Sequence, residues 1–239
     1  MGARIVVEWT RATLRVALAE GREGRSRLRA VQSQALGTTG DPGPALRALL
    51  KRMKAEGAEV VGVVPREQVI TRVVTFPTAD AGELAQMVEL YARAQLPYPR
   101  EQTVLDFHVL SEREGFSTVA MIACQRQVVE AHVALLREAG LAPRLVTLSS
   151  WGVLGWYRRL LETEAGRRLV AGAEREPAMI LHVDDTRTDL VVVGGGRLLS
   201  SRSVGQGAQD WGGVERGRGA RRGRGGADPR GGPEGARRR

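Results

Sequence analysis

The stretch from residue 69 to residue 148 switches between two-residue and helical apolar periods in the order strand, helix, strand, strand, helix, strand. Pro77 stops the first strand, 69 to 76. Asp80 stands where it can cap a helix over 80 to 95, along which Leu84, Met87, Val88, Tyr91 and Ala94 or Gln95 track one side. Strands 103 to 110 and 116 to 124 are joined by the polar loop Glu112, Arg113, Glu114 and Gly115. Gly140 closes a helix over 126 to 139 before a last strand, 144 to 148. This βαββαβ order predicts a compact α+β unit with both helices on one face of a sheet. Leu84, Val88, Tyr91, Val129, Val133 and Leu136 are then expected to be buried together.

Strand–turn–strand patterns flank that unit on both sides. Ile5, Val6 and Val7 form one apolar run, Leu14, Val16 and Leu18 alternate with Arg15 and Ala17, and Glu8 to Thr13 makes a tight connection. The residues after Leu18 read as a linker with turn signals up to Asp41, Pro42, Gly43 and Pro44. Leu46, Leu49, Leu50 and Met53 then repeat at helical spacing before a strand at 60 to 64. After the insertion a helix runs from Trp151 to about Leu161, and residues 178 to 203 give three short strands. A tight turn at Asp185 to Arg187 and the triplet Gly194, Gly195 and Gly196 join them, the triplet reading as a hairpin turn rather than a phosphate loop. The chain divides on this reading into 1–68, an inserted subdomain 69–150, a return segment 151–207 and a tail 208–239.

Composition removes several function classes. No run of eighteen or more apolar residues is present, and the N-terminus lacks the apolar core of a secretory signal, so the chain reads as cytoplasmic. The single cysteine, Cys124, excludes an internal disulfide framework, and its neighbours suggest a buried strand residue. His108, His132 and His182 are scattered and support neither a metal site nor a hydrolase triad. The net charge is +9, but residues 211 to 239 hold nine arginines against Glu215, Asp228 and Glu234, so six of those charges belong to the tail. Residues 212 to 239 are almost wholly Gly, Arg, Ala, Pro and acids, with too little apolar surface to fold, and are expected to be disordered. A frameshift in a GC-rich gene accounts for this composition better than an RNA-binding tail, because aromatic residues are missing after Trp211.

The segment VPREQVITRVVTFPTADAGELAQMVELYARAQLPYPREQTVLDFHVL resembles the PilM family of type IV pilus assembly, in which a "P…v..R.v.lP" strand leads to a helix and then to "a…iP(f/y)…e…d". The matching residues are Pro65, Arg72, Pro77, Glu83, Leu84, Leu96, Pro97, Tyr98, Glu101 and Asp106. The similarity continues through Ala139, Gly140, Leu141, Pro143 and Val146. It ends at DDTRTDLVVVGGGRLLSSRSVGQG, where a strand carries an arginine, Arg202, before a glycine pair. The resemblance implies a truncated actin-like, ribonuclease H-like α/β fold with the α+β insertion. The cytoplasmic domain of the type II secretion protein GspL shares this architecture and is the rival reading.

In actin-like ATPases two hairpin turns cradle phosphates with backbone N–H groups, and an acid in each organises metal and water. The resemblance places Glu8, Thr10 and Thr13 in the first hairpin and Asp184, Thr186 and Thr188 in the second. Thr10 and Thr186 stand where the family carries glycine, and Trp9 is expected to narrow the approach further. Asp184, Asp185 and Asp189 crowd negative charge there unless Mg²⁺ or Arg187 screens it. A degenerate ATP/Mg site is therefore expected, with no cofactor and no ATPase activity. The implied function is a cytoplasmic adaptor, peripheral to the inner membrane, which holds a short N-terminal peptide of a PilN-like inner-membrane protein in a groove of its first domain and meets other pilus or secretion components. The turn Leu96 to Pro99 is one candidate surface feature. DNA is not an expected partner, and RNA binding through the tail or an ATP-dependent switch are the alternatives from other classes.

Overall fold

The structure is a computed structural model that describes residues 2–22, 25–36, 41–54, 57–170 and 176–211. The tail beyond residue 211, with its expected disorder, lies outside the described residues.

Strands β1 (Gly2–Trp9), β2 (Thr13–Arg22) and β3 (Arg25–Ala35) form an antiparallel meander. Helix α1 (Pro42–Met53) follows, its N-terminus capped by the Asp41 carboxylate, which accepts from the Gly43 N–H at 2.8 Å. Strand β4 (Glu59–Val64) then pairs parallel to β1, and β8 (Pro143–Leu148) pairs parallel to β4, giving the order β3-β2-β1-β4-β8. Ile5, Val7, Leu14 and Val16 point from this sheet into a core sealed by Leu46 and Leu49 of α1 and by Leu135 and Leu136 of α3 (Arg126–Glu138). Each fully buried side chain of this size contributes about 1.5–3 kcal/mol.

The insertion is a second sheet, β5 (Val69–Phe76), β7 (Phe116–Gln125) and β6 (Thr103–Arg113) in that order, all antiparallel. Helix α2 (Ala81–Gln95) covers it, with Leu84 and Val88 packed on Phe76, Val119 and Met121. Its start is a capping arrangement: Asp80 accepts from the Glu83 N–H, and the Thr78 hydroxyl donates to the Glu83 carboxylate, both at 2.8 Å.

Two expectations are corrected by this topology. The second helix of the βαββαβ pattern does not share a face with the first: Leu136 lies in the core of the first sheet, Val129 packs in a small cluster with Val64, Cys124 and Leu148, and Val133 is half-buried. Parallel strands need a long crossover, and α3 is the crossover that brings β8 back beside β4. The chain order is as read, but its last helix and strand join the first sheet, and β5, α2, β6 and β7 are inserted between β4 and its crossover. The supposed linker after residue 18 contains β3, paired along β2 from Ala35 to Arg25.

Helix α4 (Ser149–Glu162) and the short α5 (Glu164–Leu169) lead to a third sheet, β11 (Arg197–Val204), β10 (Thr188–Gly194) and β9 (Ala178–Val183) in that order. Leu154 and Tyr157 of α4 pack on Val191, Val193 and Leu198. The turn between β10 and β11 uses Gly195 and Gly196 at φ of 56° and 70°, the left-handed region that glycine enters without strain.

Candidate functional site

The two hairpin turns of the first and third sheets face each other. Glu8 lies near the end of β1 and Asp184 just after β9, and the guanidinium of Arg15 on β2 bridges them. Arg15 Nη1 donates to Glu8 Oε2 at 3.0 Å and Nη2 donates to Asp184 Oδ1 at 2.6 Å. Arg15 is available for this because its cross-strand partner is Glu8, so both side chains leave the first sheet on the face opposite Leu14 and Val16.

A second guanidinium fills the space beside the first. Arg187 is 2% exposed, with Nη1 at 3.3 Å from Glu67, Nη2 at 3.7 Å from Glu8 and 3.8 Å from Asp184, and Nε at 3.9 Å from Asp189. Among the described residues its Nε and Nη2 find no hydrogen-bond partner, so those contacts are ionic. Asp189 accepts from the Ser203 hydroxyl at 2.5 Å and stands 4.0 Å from His182 Nδ1. Four carboxylates, two arginines and a histidine thus occupy the gap between the hairpins. Among the described residues no group of three or more His, Cys, Asp or Glu is placed to hold a metal ion.

The pKa directions arise from these contacts. Burial works against ionised Asp184, but the Arg15 hydrogen bond, the Asp185 N–H and the charges of Arg15 and Arg187 outweigh it and hold the carboxyl below its usual range. Asp189 is also buried and also held low, by His182, Ser203 and Arg187. The Asp189 carboxylate lifts His182 above its ordinary value against burial. Burial lowers Arg15, while the carboxylates of Asp184 and Glu8 more than restore it.

The threonines are placed differently from one another. Thr10 is buried, and its hydroxyl oxygen accepts from the N–H groups of Ala12 at 3.2 Å and Thr13 at 3.0 Å, closing the first turn on itself. Thr13, also buried, begins β2. Thr186 faces solvent at the tip of the second turn, whereas Thr188 is buried and donates to the Gln206 carbonyl at 2.8 Å. Asp184 and Asp185 carbonyls accept from the N–H groups of Ala208 and Gln209 at 2.8 and 3.0 Å. Gly207 permits that approach, since a Cβ there would lie 2.4 Å from the Arg187 nitrogen and the Asp185 carbonyl.

Trp9 corrects an expectation: it does not narrow the hairpin but stacks on His132 of α3, centroids 4.7 Å apart. The acids at 184 and 189 are not a bare negative patch, because Arg15 and Arg187 lie among them. Sequence reading places Glu8 and Asp184 in the two hairpins but gives no role to Arg15 or Glu67, which look like ordinary polar strand and turn residues. Only the register of β1 on β2 reveals Arg15. Arg66 is equally unmarked in the sequence. It is buried and donates to the Ser201 hydroxyl at 2.8 Å, to Thr71 Oγ1 at 2.6 Å and to the carbonyls of Val69 and Ser201, fastening the insertion to β11.

A profile of the family described as type IV pilus assembly protein PilM matches residues 30–213. Among solved structures, the PilM-PilN type IV pilus biogenesis complex is similar with a TM-score of 0.70 and 22% identity, covering 87% of this chain and 63% of that one. This chain therefore spans less than two thirds of that relative. The cytoplasmic domain of EpsL, an inner-membrane component of the type II secretion system of Vibrio cholerae, gives 0.55 at 15% identity, covering 85% and 71%. A Bacteroides thetaiotaomicron protein with an actin-like ATPase fold and unknown function gives 0.51 at 10% identity, covering 86% and 70%. The likenesses establish an actin-like fold, and the profile match over most of its length shows that the chain belongs to the PilM family of type IV pilus assembly proteins.

Proposed function

We propose that this chain is a cytoplasmic adaptor of type IV pilus assembly, held at the inner membrane through a PilN-like partner, whose two hairpins are fastened by its own arginines instead of by a metal nucleotide. The carrying observation is Arg15, hydrogen-bonded at once to Glu8 and Asp184, the two acids that would otherwise organise a metal. The backbone N–H groups that would hold a phosphate at the first turn are occupied by the Thr10 hydroxyl. Residues so committed do not fit Mg-ATP.

The partner segment is assigned to the cleft between the first sheet and the insertion. This cavity of about 230 Å³ is lined by Val64, Val69, Ile122, Cys124, Leu148 and Trp151 among others. Its apolar wall suits side chains of a short extended peptide, in keeping with the PilN named in the similar complex. Burial raises the Cys124 thiol to about 11, so it lines the cleft as an apolar group. None of the described helices is long and apolar enough to cross a membrane, which suits attachment through a partner.

The test is titration of the protein with a synthetic peptide of the N-terminal residues of the PilN-like protein from the same organism. Binding that falls about tenfold in Trp151→Ala and Ile122→Asp supports the assignment. Binding that ignores both changes sinks it. Co-purification with type II secretion proteins in place of the PilN-like protein would move the chain to the EpsL side.

A further inference from the structure

A second groove, of about 670 Å³, shares no lining residue with the apolar cleft and lies between β5 of the insertion and β11 of the third sheet. Both are edge strands of their sheets, so among the described residues alternate backbone N–H and C=O groups along each lack a strand partner on the outer side, the carbonyls of Val69 and Ser201 being already taken by Arg66 and Thr71. The two edges meet where the Thr71 hydroxyl donates to the Ser201 carbonyl at 3.1 Å, and Arg66 underlies that contact. Its size is within the roughly 300–1,000 Å³ of ligand clefts.

The charge in this groove is one-sided. Arg66, Arg72 and Arg202 line it, and among the described residues neither Arg72 nor Arg202 has an ion pair or a side-chain hydrogen bond. Both are exposed. Among the described residues the one carboxylate in the lining, Glu67, is drawn toward Arg187 at 3.3 Å. Burial pulls the Arg66 pKa below the usual arginine value, Asp189 opposes that and Arg202 adds to it, so Arg66 and Arg202 repel one another. Arg72 and Arg202 are also the two arginines that the strand motifs singled out, and they come from segments 130 residues apart to one groove.

We propose that this groove binds an acidic extended segment of a partner protein, which adds backbone hydrogen bonds to the open edges of β5 and β11 and places its carboxylates on Arg72 and Arg202. A sheet edge supplies affinity through the backbone, and paired arginines select the sign of the side chains. A free anion would use the arginines but leave the two edges idle.

The probe is a fluorescein-labelled peptide of alternating Asp and Val, followed by anisotropy on the full chain near physiological ionic strength, with hydrogen exchange to locate it. The proposal expects saturable binding, slowed exchange in 69–76 and 197–204, and a loss of about tenfold or more in the Arg72→Glu, Arg202→Glu double variant. Arg113→Glu, at the end of β6 and outside the groove lining, is expected to leave binding unchanged. The tail is the same in every variant, so its own attraction for acid cancels in the comparison. N-methylation of alternate backbone nitrogens in the peptide is expected to abolish binding. Should the charge reversals lower the melting temperature, Arg72→Gln with Arg202→Gln takes their place. Absent binding, equal binding of the N-methylated peptide, insensitivity to the arginines, or protection elsewhere overturns the proposal. So does an oligouridylate that binds with the same arginine dependence and displaces the peptide, because the ligand is then a phosphate.

Discussion

Arg187 is nearly inaccessible to water, and a guanidinium in that position is tolerated only because four carboxylates surround it. Removing the cation leaves those acids facing one another, so Arg187→Ala is expected to cost about 3–5 kcal/mol in denaturant unfolding. Arg15 is less buried and donates two hydrogen bonds to charged groups, and Arg15→Ala is expected to cost less, about 1.5–3 kcal/mol. The pH dependence has two limbs. Asp184 and Asp189 titrate below their unfolded values, so their contribution is whole above about pH 4 and disappears as pH falls through the lowered folded values. His182 titrates above its unfolded value, so its contribution is whole below about pH 6.5 and is lost as pH rises through the raised folded value. These three groups contribute most between about pH 4 and 6.5, whereas buried His132, held below its ordinary value by burial, favours the neutral side of that range; the alkaline limb due to His182 is expected to be missing in His182→Gln. At this scale the sequence showed the acids, because hairpin position marks Glu8 and Asp184. It hid the cations, because a strand arginine acquires its partner only through pairing register and sheet-to-sheet approach.

Elements with a strong period were readable from their residues alone. Helix α2 is such a case: Leu84 is 3% exposed and Leu90, on the same helix, 70%. Leu84→Ala is expected to cost about 2–5 kcal/mol and Leu90→Ala within about 0.5 kcal/mol, compared by urea unfolding. Strand β3 was not readable, since RSRLRAVQSQA alternates weakly and Leu28 and Val31 remain 61% and 55% exposed. Its stability comes from the backbone ladder with β2, which composition does not record. The assignment of α3 and β8 to the first sheet was equally hidden: their periods are clear, but a period names a face and not the sheet it meets. Only the requirement for a crossover between parallel β4 and β8 decides it.

Across the whole molecule three sheets are tied together by a few polar contacts with large sequence separation. Arg15 joins the first sheet to the third, hairpin to hairpin, and Arg66 joins the insertion to β11. Family motifs made the actin-like fold legible, whereas the way the hairpins are held was not, because it depends on guanidinium groups filling a gap between distant segments. Hairpins fastened this way are expected to stay together without a ligand, as the proposed adaptor role requires. Isothermal titration with Mg-ATP tests that most directly. No saturable heat is expected for the native chain at Mg-ATP concentrations up to about 1 mM, the weak end of specific binding. Micromolar affinity that Glu8→Ala or Asp184→Ala abolishes would contradict it and return the chain to a nucleotide-dependent switch.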